Sequence, residues 1–396
     1  MRLVQGVAPV AELREADDPQ RTVVMAGECS RVVDEAATVA GEEHSLRYGM
    51  QISEGIDAVP TRHVAASRGY RDDVTDTTVV IDWLLDSDPS IRWQVMRDLL
   101  DAGETEWKAE RAKVETLGWG AQLLSCEDSD GQWAGGAFLP SGFTGNEWQE
   151  HGQPWTATAF SLSQLREFGL DPTSDRAKRV VELIDANSRW DHDNEPFWDG
   201  EVEECINGRV VADGAYFGVD VAPIVDRLIG ERLDDGGWNC ERANGSLRSS
   251  FASTINVLEG LLEYERATGG THASRAARAT GEEFLLQRNL FRRLTTGEPA
   301  DEHFLRLSHP NRWHYDVLRA LDYFWSASTL TGAAPDQRLG EAIVHVRSRQ
   351  SEDGTWPLDW SPRGRVWFDV DDGQGRPSRW VTLRAMRVLR CWDDAT

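Results

Sequence analysis

From Asp76 onward the chain places apolar residues at three- and four-residue spacing in one segment after another, the period of an α-helix that buries one face. Asp175-Arg176-Ala177-Lys178-Arg179-Val180-Val181-Glu182-Leu183-Ile184 is representative. Such segments occupy roughly 77–86, 107–124, 174–189, 220–233, 274–290 and 336–350. After each comes a second segment, richer in aromatic and small residues, starting near Ile91, Trp155, Cys205, Ser249, Arg312 and Ser378. The pattern predicts an all-α fold of six helical hairpins over 75–396. With the first helices outside and the second inside, six pairs close as an (α/α)6 toroid, which has no unpaired end of the kind an open solenoid must cap. Residues 1–74 mix Ala, Val, Asp, Glu and Arg without a sustained period. They read as a poorly ordered N-terminal extension with a short helix near 29–39, and a small cap on the toroid is the competing reading. Met50 is a second candidate for the start of translation.

The hairpins are punctuated by a recurring turn: Asp130-Gly131-Gln132-Trp133, Asp235-Gly236-Gly237-Trp238 and Asp353-Gly354-Thr355-Trp356, separated by 105 and 118 residues. That is about twice the length of one hairpin with its loops. Weaker aromatic turns lie between them, at Pro196-Phe197-Trp198-Asp199-Gly200 and His309-Pro310-Asn311-Arg312-Trp313. Glycine permits a turn that other residues resist. The tryptophan after it can fold back over the preceding helix end, so its expected role is structural.

Arg349-Gln350-Ser351-Glu352-Asp353-Gly354-Thr355-Trp356 resembles the hallmark of the terpene cyclase and protein prenyltransferase superfamily, a Gln-rich helix end followed by Gly-x-Trp. The turns ending in Trp133 and Trp238 match its second half. The likeness, squalene-hopene cyclase-like, covers about 77–394 and implies a single barrel, since large triterpene cyclases use two. It implies an enzyme acting on an isoprenoid or other long apolar substrate in a central cavity. It does not choose between cyclisation, transfer and mere binding.

Composition narrows the setting. The net charge of −25 disfavours nucleic acid and anionic lipid. No apolar run is long enough to span a membrane, and the N-terminus has no signal-peptide pattern. Five scattered cysteines do not form a disulfide framework, so a reducing cytoplasm is the expected location. Walker, dinucleotide-binding, Gly-x-Ser-x-Gly and His-Glu-x-x-His motifs are absent.

Three constellations could carry chemistry. Class II terpene cyclases protonate an alkene with Asp-x-Asp-Asp, and Asp369-Val370-Asp371-Asp372 precedes the last inner segment. Asp371 would be the donor, kept protonated by burial beside Asp369 and Asp372. The intervening Gly373-Gln374-Gly375-Arg376-Pro377 favours a solvated acidic loop instead. Related prenyltransferases and lanthionine cyclases hold zinc at inner-helix starts, which implies Cys205, Cys240 and His314 as ligands, with His303 and His309 in reserve. Here no Asp-x-Cys is present and Glu241 follows Cys240, so buried thiols are the competing reading.

The third constellation is a cavity wall of aromatic residues, Trp93, Trp155, Phe160, Tyr216, Phe217, Phe251, Trp313, Tyr315 and Trp380, which would stabilise carbocations. Arg209, Arg248, Arg312 and Arg379 near inner-helix starts would hold a diphosphate. Core packing and local ion pairs are the alternatives for these residues. Whether Mg²⁺ accompanies a diphosphate, and in what oligomeric state the chain works, is open at this level. The leading expectation is a single-barrel isoprenoid enzyme. A non-catalytic toroid binding a hydrophobic ligand or a protein partner, and a zinc-thiolate enzyme of prenyl-transfer or thioether-forming type, stand beside it.

Overall fold

The computed structural model describes residues 71–395. The extension expected over 1–74, with its helix near 29–39, lies outside the described residues except for its last four positions, which open the first helix. Everything described is helix, turn or loop, and strand pairing is limited to isolated bridges.

The chain opens with α1 (Arg71–Leu85) and α2 (Pro89–Asp98). Next come α3 (Glu104–Arg111), α4 (Gly118–Ser125), the short α5 (Gly145–His151) and α6 (Thr158–Phe168). The following two pairs are α7 (Asp175–Asn187) with α8 (Glu204–Phe217), and α9 (Ala222–Gly230) with α10 (Phe251–Thr268). The last two are α11 (His272–Leu286) with α12 (Val317–Thr331), and α13 (Gly340–Ser348) with α14 (Arg379–Ala395).

Two boundaries differ instructively from the periodicity. The segment 107–124 is two helices, because Leu117 is extended and Gly118 adopts φ +65° between them. The helix expected to begin near Arg312 begins at Val317, because Asp316 is its N-cap and accepts a hydrogen bond from the Arg319 amide at 2.8 Å. Trp313 and His314 therefore sit in the loop ahead of α12.

The six later-in-pair helices touch in order: α2 with α6, α6 with α8, α8 with α10, α10 with α12, α12 with α14, and α14 with α2. Each seam has its own chemistry. Trp93 Nε1 donates to the Phe168 carbonyl at 2.8 Å between α2 and α6. Arg166 pairs with Asp213 at 2.7 Å between α6 and α8, and Arg319 with Glu259 at 2.7 Å between α12 and α10. Arg387 joins three helices through Asp322 at 2.6 Å and Asp98 at 3.1 Å. The α8–α10 seam is backbone against backbone. A Cβ on Gly208 would fall 2.5 Å from the Asn256 carbonyl oxygen, and one on Gly260 would fall 2.3 Å from that of Gly208.

The three Gly-Trp turns are near copies. Trp133, Trp238 and Trp356 are fully buried, and their indole N–H groups donate to the carbonyls of Leu123, Leu228 and Val346 at 2.9, 2.7 and 2.8 Å. Each acceptor lies ten residues upstream in the preceding helix, where end carbonyls lack helical partners. The tryptophan backbone amides donate to Thr158, Thr254 and Thr382 in the first turns of α6, α10 and α14. Gly131, Gly236 and Gly354 take positive φ and lie against α7, α11 and α1, where a Cβ would fall within 3 Å of Leu183, Thr280 and Val80. One tryptophan thus fastens two helices of its own pair while its glycine admits a helix of another.

Loops leading into α6, α12 and α14 interlock at the N-terminal ends of those helices. Trp155 donates to the carbonyls of Arg365 and Arg363, Trp367 Nε1 to that of Thr156, and Asp359 to that of Leu307.

Candidate functional site

All six of the touching helices contribute to one cavity of about 1220 Å³. Helical spacing brings this about: Trp93 and Arg97, Phe160 and Ser163, Arg209 and Tyr216, Glu259 and Arg266, Arg319 and Asp322, and Arg384 and Arg387 each repeat at three, four or seven residues and face one side. Residues at the C-terminal ends of α12 and α14 line its mouth, including the exposed Thr329 and Gly332. Asn311 and Arg312, 6 % and 7 % exposed, line its floor.

The lining is charged. Ten arginines face seven aspartates and glutamates, in a chain whose net charge is strongly negative. Most of these arginines are spoken for. Beyond the pairs already named, Arg384 pairs with Glu167, and Arg266 with Glu263. Arg390 pairs with Asp101, and Arg97 with Asp98. Arg111 donates to Gly169 and Leu170 carbonyls and to the Tyr216 hydroxyl, whose own pKa burial pushes up to about 12.

Arg209 and Arg312 differ from the ion-paired arginines, and from Arg111 in having fewer hydrogen bonds. Neither makes an ion pair among the described residues. Arg209 donates to the Arg312 carbonyl, and Arg312 donates to Gln164 Oε1 at 3.4 Å. Burial, and then the neighbouring Arg209 charge, pulls the Arg312 pKa down to about 9. Burial depresses that of Arg209 as well. Two guanidinium groups thus share the floor without an ion pair; Asp213 and Glu259 near Arg209, and Glu167 near Arg312, only partly offset their burial, a costly arrangement unless something anionic completes it.

The residues proposed from sequence separate into three places. Trp93, Tyr216, Arg312 and Trp380 line the cavity, as do Phe160 and Arg209. Trp155, Phe251, Trp313, Tyr315 and Arg379 do not. Trp155 is pinned to the loop at Arg363, and Trp313 bonds Gln153 at 2.9 Å. Phe251 and Tyr315 pack with Phe284 and Phe304 in the core. Arg379 lies over Trp83 on α1. Asp371 is also away from the cavity. Burial raises its carboxyl pKa to about 7, and Ser378 Oγ donates to it at 2.9 Å. Asp369 and Asp372 flank it in the loop without reaching the cavity wall.

Cys205 and Cys240 meet at the start of α8, their sulfurs 2.6 Å apart, but His314 is elsewhere. It stacks on Trp313 at 3.7 Å, and burial pulls its pKa down to about 3. Glu203 takes the third place beside the thiols, with Oε2 3.6 Å from Cys205 Sγ. Burial, and then the neighbouring Cys240 sulfur, holds the Glu203 carboxyl well above the ordinary range. Two thiols and a carboxylate within 4.8 Å of one another are a donor set that suits zinc. Sequence reasoning missed Glu203 because it lies in the acidic run Glu201-Val202-Glu203-Glu204. It also missed Arg384 and Arg387, whose three-residue spacing reads as a solvated helix face.

No family model and no curated protein matches this chain. Among solved structures it is similar to the crystal structure of a protein from Actinoplanes, with 16 % identity, a TM-score of 0.41, and coverage of 81 % of this chain and 100 % of that one.

Proposed function

We propose that the chain is a single toroid of six hairpins whose central cavity binds an anionic small molecule. The order of helix contacts, with α14 returning to α2, and the packing of Gly354 against α1 support closure of the ring. The function rests on one observation: arginines outnumber carboxylates on the cavity wall of a strongly acidic chain. The cavity focuses positive potential inside a surface that repels polyanions at large, which selects small anions able to enter. An isoprenoid suits such a cavity only if it carries a charged head group, because a bare hydrocarbon would desolvate paired guanidinium groups without replacing their hydrogen bonds. The aromatic faces of Trp93, Phe160, Tyr216 and Trp380 serve the uncharged part of the ligand. Thermal unfolding of the full chain against organic phosphates, di- and tricarboxylates and uncharged polyprenols tests this. Anions raise Tm while polyprenols leave it unchanged; stabilisation by polyprenols alone would overturn the reading.

A second reading follows from Glu203, Cys205 and Cys240, which fit a zinc-thiolate centre. Zinc there would lower the pKa of a bound thiol or water. Elemental analysis of the purified chain beside a Cys205→Ala, Cys240→Ala variant decides it: zinc near one per chain that vanishes in the variant supports the centre, and its absence from both removes it.

A further inference from the structure

We infer that the cavity floor is a seat for a phosphoryl dianion, gripped between the guanidinium groups of Arg209 and Arg312; the inference rests on the reading of the cavity as anion-binding and names the ligand class.

The carboxylates around the floor are already committed. Asp213, one helical turn from Arg209, accepts from Arg166 at 2.7 Å and from Ser163 at 2.5 Å. Glu259 takes Arg319 through both oxygens, at 2.8 and 2.7 Å. Glu167 takes Arg384. None is left for Arg209 or Arg312. The donors of the pair are also unspent: Arg209 Nε is buried without a hydrogen-bond partner, as is the indole Nε1 of Trp380 on the same cavity wall. Buried donors of this kind are rare in folded proteins and mark a missing partner.

Two cations select the ligand. A monocarboxylate would neutralise one guanidinium and leave the other uncompensated. A phosphoryl group brings nearly two charges and three strong acceptor oxygens, and can meet two planar forks at once. Arg312 reaches the floor from a left-handed backbone, φ +55°, which a non-glycine residue holds only against resistance and which recurs at ligand clamps. The cavity far exceeds one phosphate, so the ligand lies head-first. Its body passes Tyr216 and Leu262 toward the exposed mouth at Thr329–Pro335.

The test titrates inorganic phosphate, inorganic diphosphate and citrate calorimetrically into the full chain and into Arg209→Gln, Arg312→Gln, Arg312→Lys and Arg379→Gln variants. Diphosphate is expected to bind at one site per chain, at least tenfold more weakly after either Gln substitution. Arg312→Lys recovers part of the loss, and Arg379→Gln, whose guanidinium lies on α1, changes nothing. Without ligand, Arg312→Gln melts at or above the unsubstituted chain, because it removes an uncompensated charge; a merely structural arginine would melt lower when replaced. Equal diphosphate affinity across all variants overturns the seat. Binding of citrate with no binding of phosphate or diphosphate overturns the seat while leaving the anionic cavity standing. Failure of all three anions to bind overturns both.

Discussion

Two tiers of arginine share one cavity and are treated oppositely by the fold. In the middle tier, Arg319 and Arg387 are 6 % and 8 % exposed, and each is locked to carboxylates on neighbouring helices. On the floor, Arg312 is as buried and Arg209 half-buried, yet Arg209 meets only the Arg312 carbonyl and both line open space. The first arrangement is how a fold secures its seams when it places charge inside. On the proposed reading, the second raises the energy of the empty protein and lowers it when an anion arrives. The difference separates arginines that fasten neighbouring helices from those proposed to hold a ligand.

The sharpest way to break this distinction is Arg387→Leu. It removes the buried partner that Asp98 and Asp322 share, leaving Asp98 to Arg97 and Asp322 to Arg384 at 3.8 Å, and should cost up to about 3–5 kcal/mol in urea unfolding, the usual loss when one partner of a buried pair is removed. A change near zero would mean the middle tier is not structural. The loop ahead of α12 should also resist a further positive charge. His314, facing Arg312, Arg319 and His303, has its pKa drawn from 6.5 to about 3 chiefly by burial. It stays neutral in the fold while the unfolded chain takes up its proton below pH 6.5. Stability should therefore fall on acidification, by about 1–2 kcal/mol between pH 6.5 and 5. His314→Phe, which preserves the stack on Trp313, should remove that part of the slope in unfolding curves at the two pH values, the buried His309 keeping its own share.

Smaller still, and opposite in sign to Arg387→Leu, Arg312→Gln should leave the ligand-free protein unchanged or stabilise it by up to about 1 kcal/mol, as happens when a strained functional group is removed. A clear destabilisation would move Arg312 into the structural tier. The least effect belongs to Arg379→Gln, which forfeits a cation–π contact with Trp83 worth about 0.5–1 kcal/mol and should not alter ligand binding.

The sequence made the outer scaffold plainer than the interior. Gly-Trp turns are local: the glycine, the tryptophan and the helix end ten residues upstream sit in one short window, so the folding-back of Trp133, Trp238 and Trp356 could be anticipated from the turn alone. Helix starts were blurred where a cap competes with an aromatic run, as at Asp316 behind Trp313-His314-Tyr315. The cavity's character was hidden for a different reason. Arg209, Arg319, Arg384 and Arg387 lie on three helices, up to 178 positions apart, and only the packing of helices turns separate polar stripes into one wall. Aromatic residues misled in the same way: Phe251 and Tyr315 have the composition of a cavity wall and the position of a core. Cys205 and Cys240 could be paired from their places at a helix start and after a turn, whereas Glu203 carried no mark within its acidic run.

The most direct measurement is an anomalous-scattering map from crystals of the full chain soaked in tungstate, a heavy dianion of phosphate shape. A peak on the cavity floor, within hydrogen-bond reach of both Arg209 and Arg312, is the expected result. Tungstate found only on the outer surface, with the floor empty, would contradict the account.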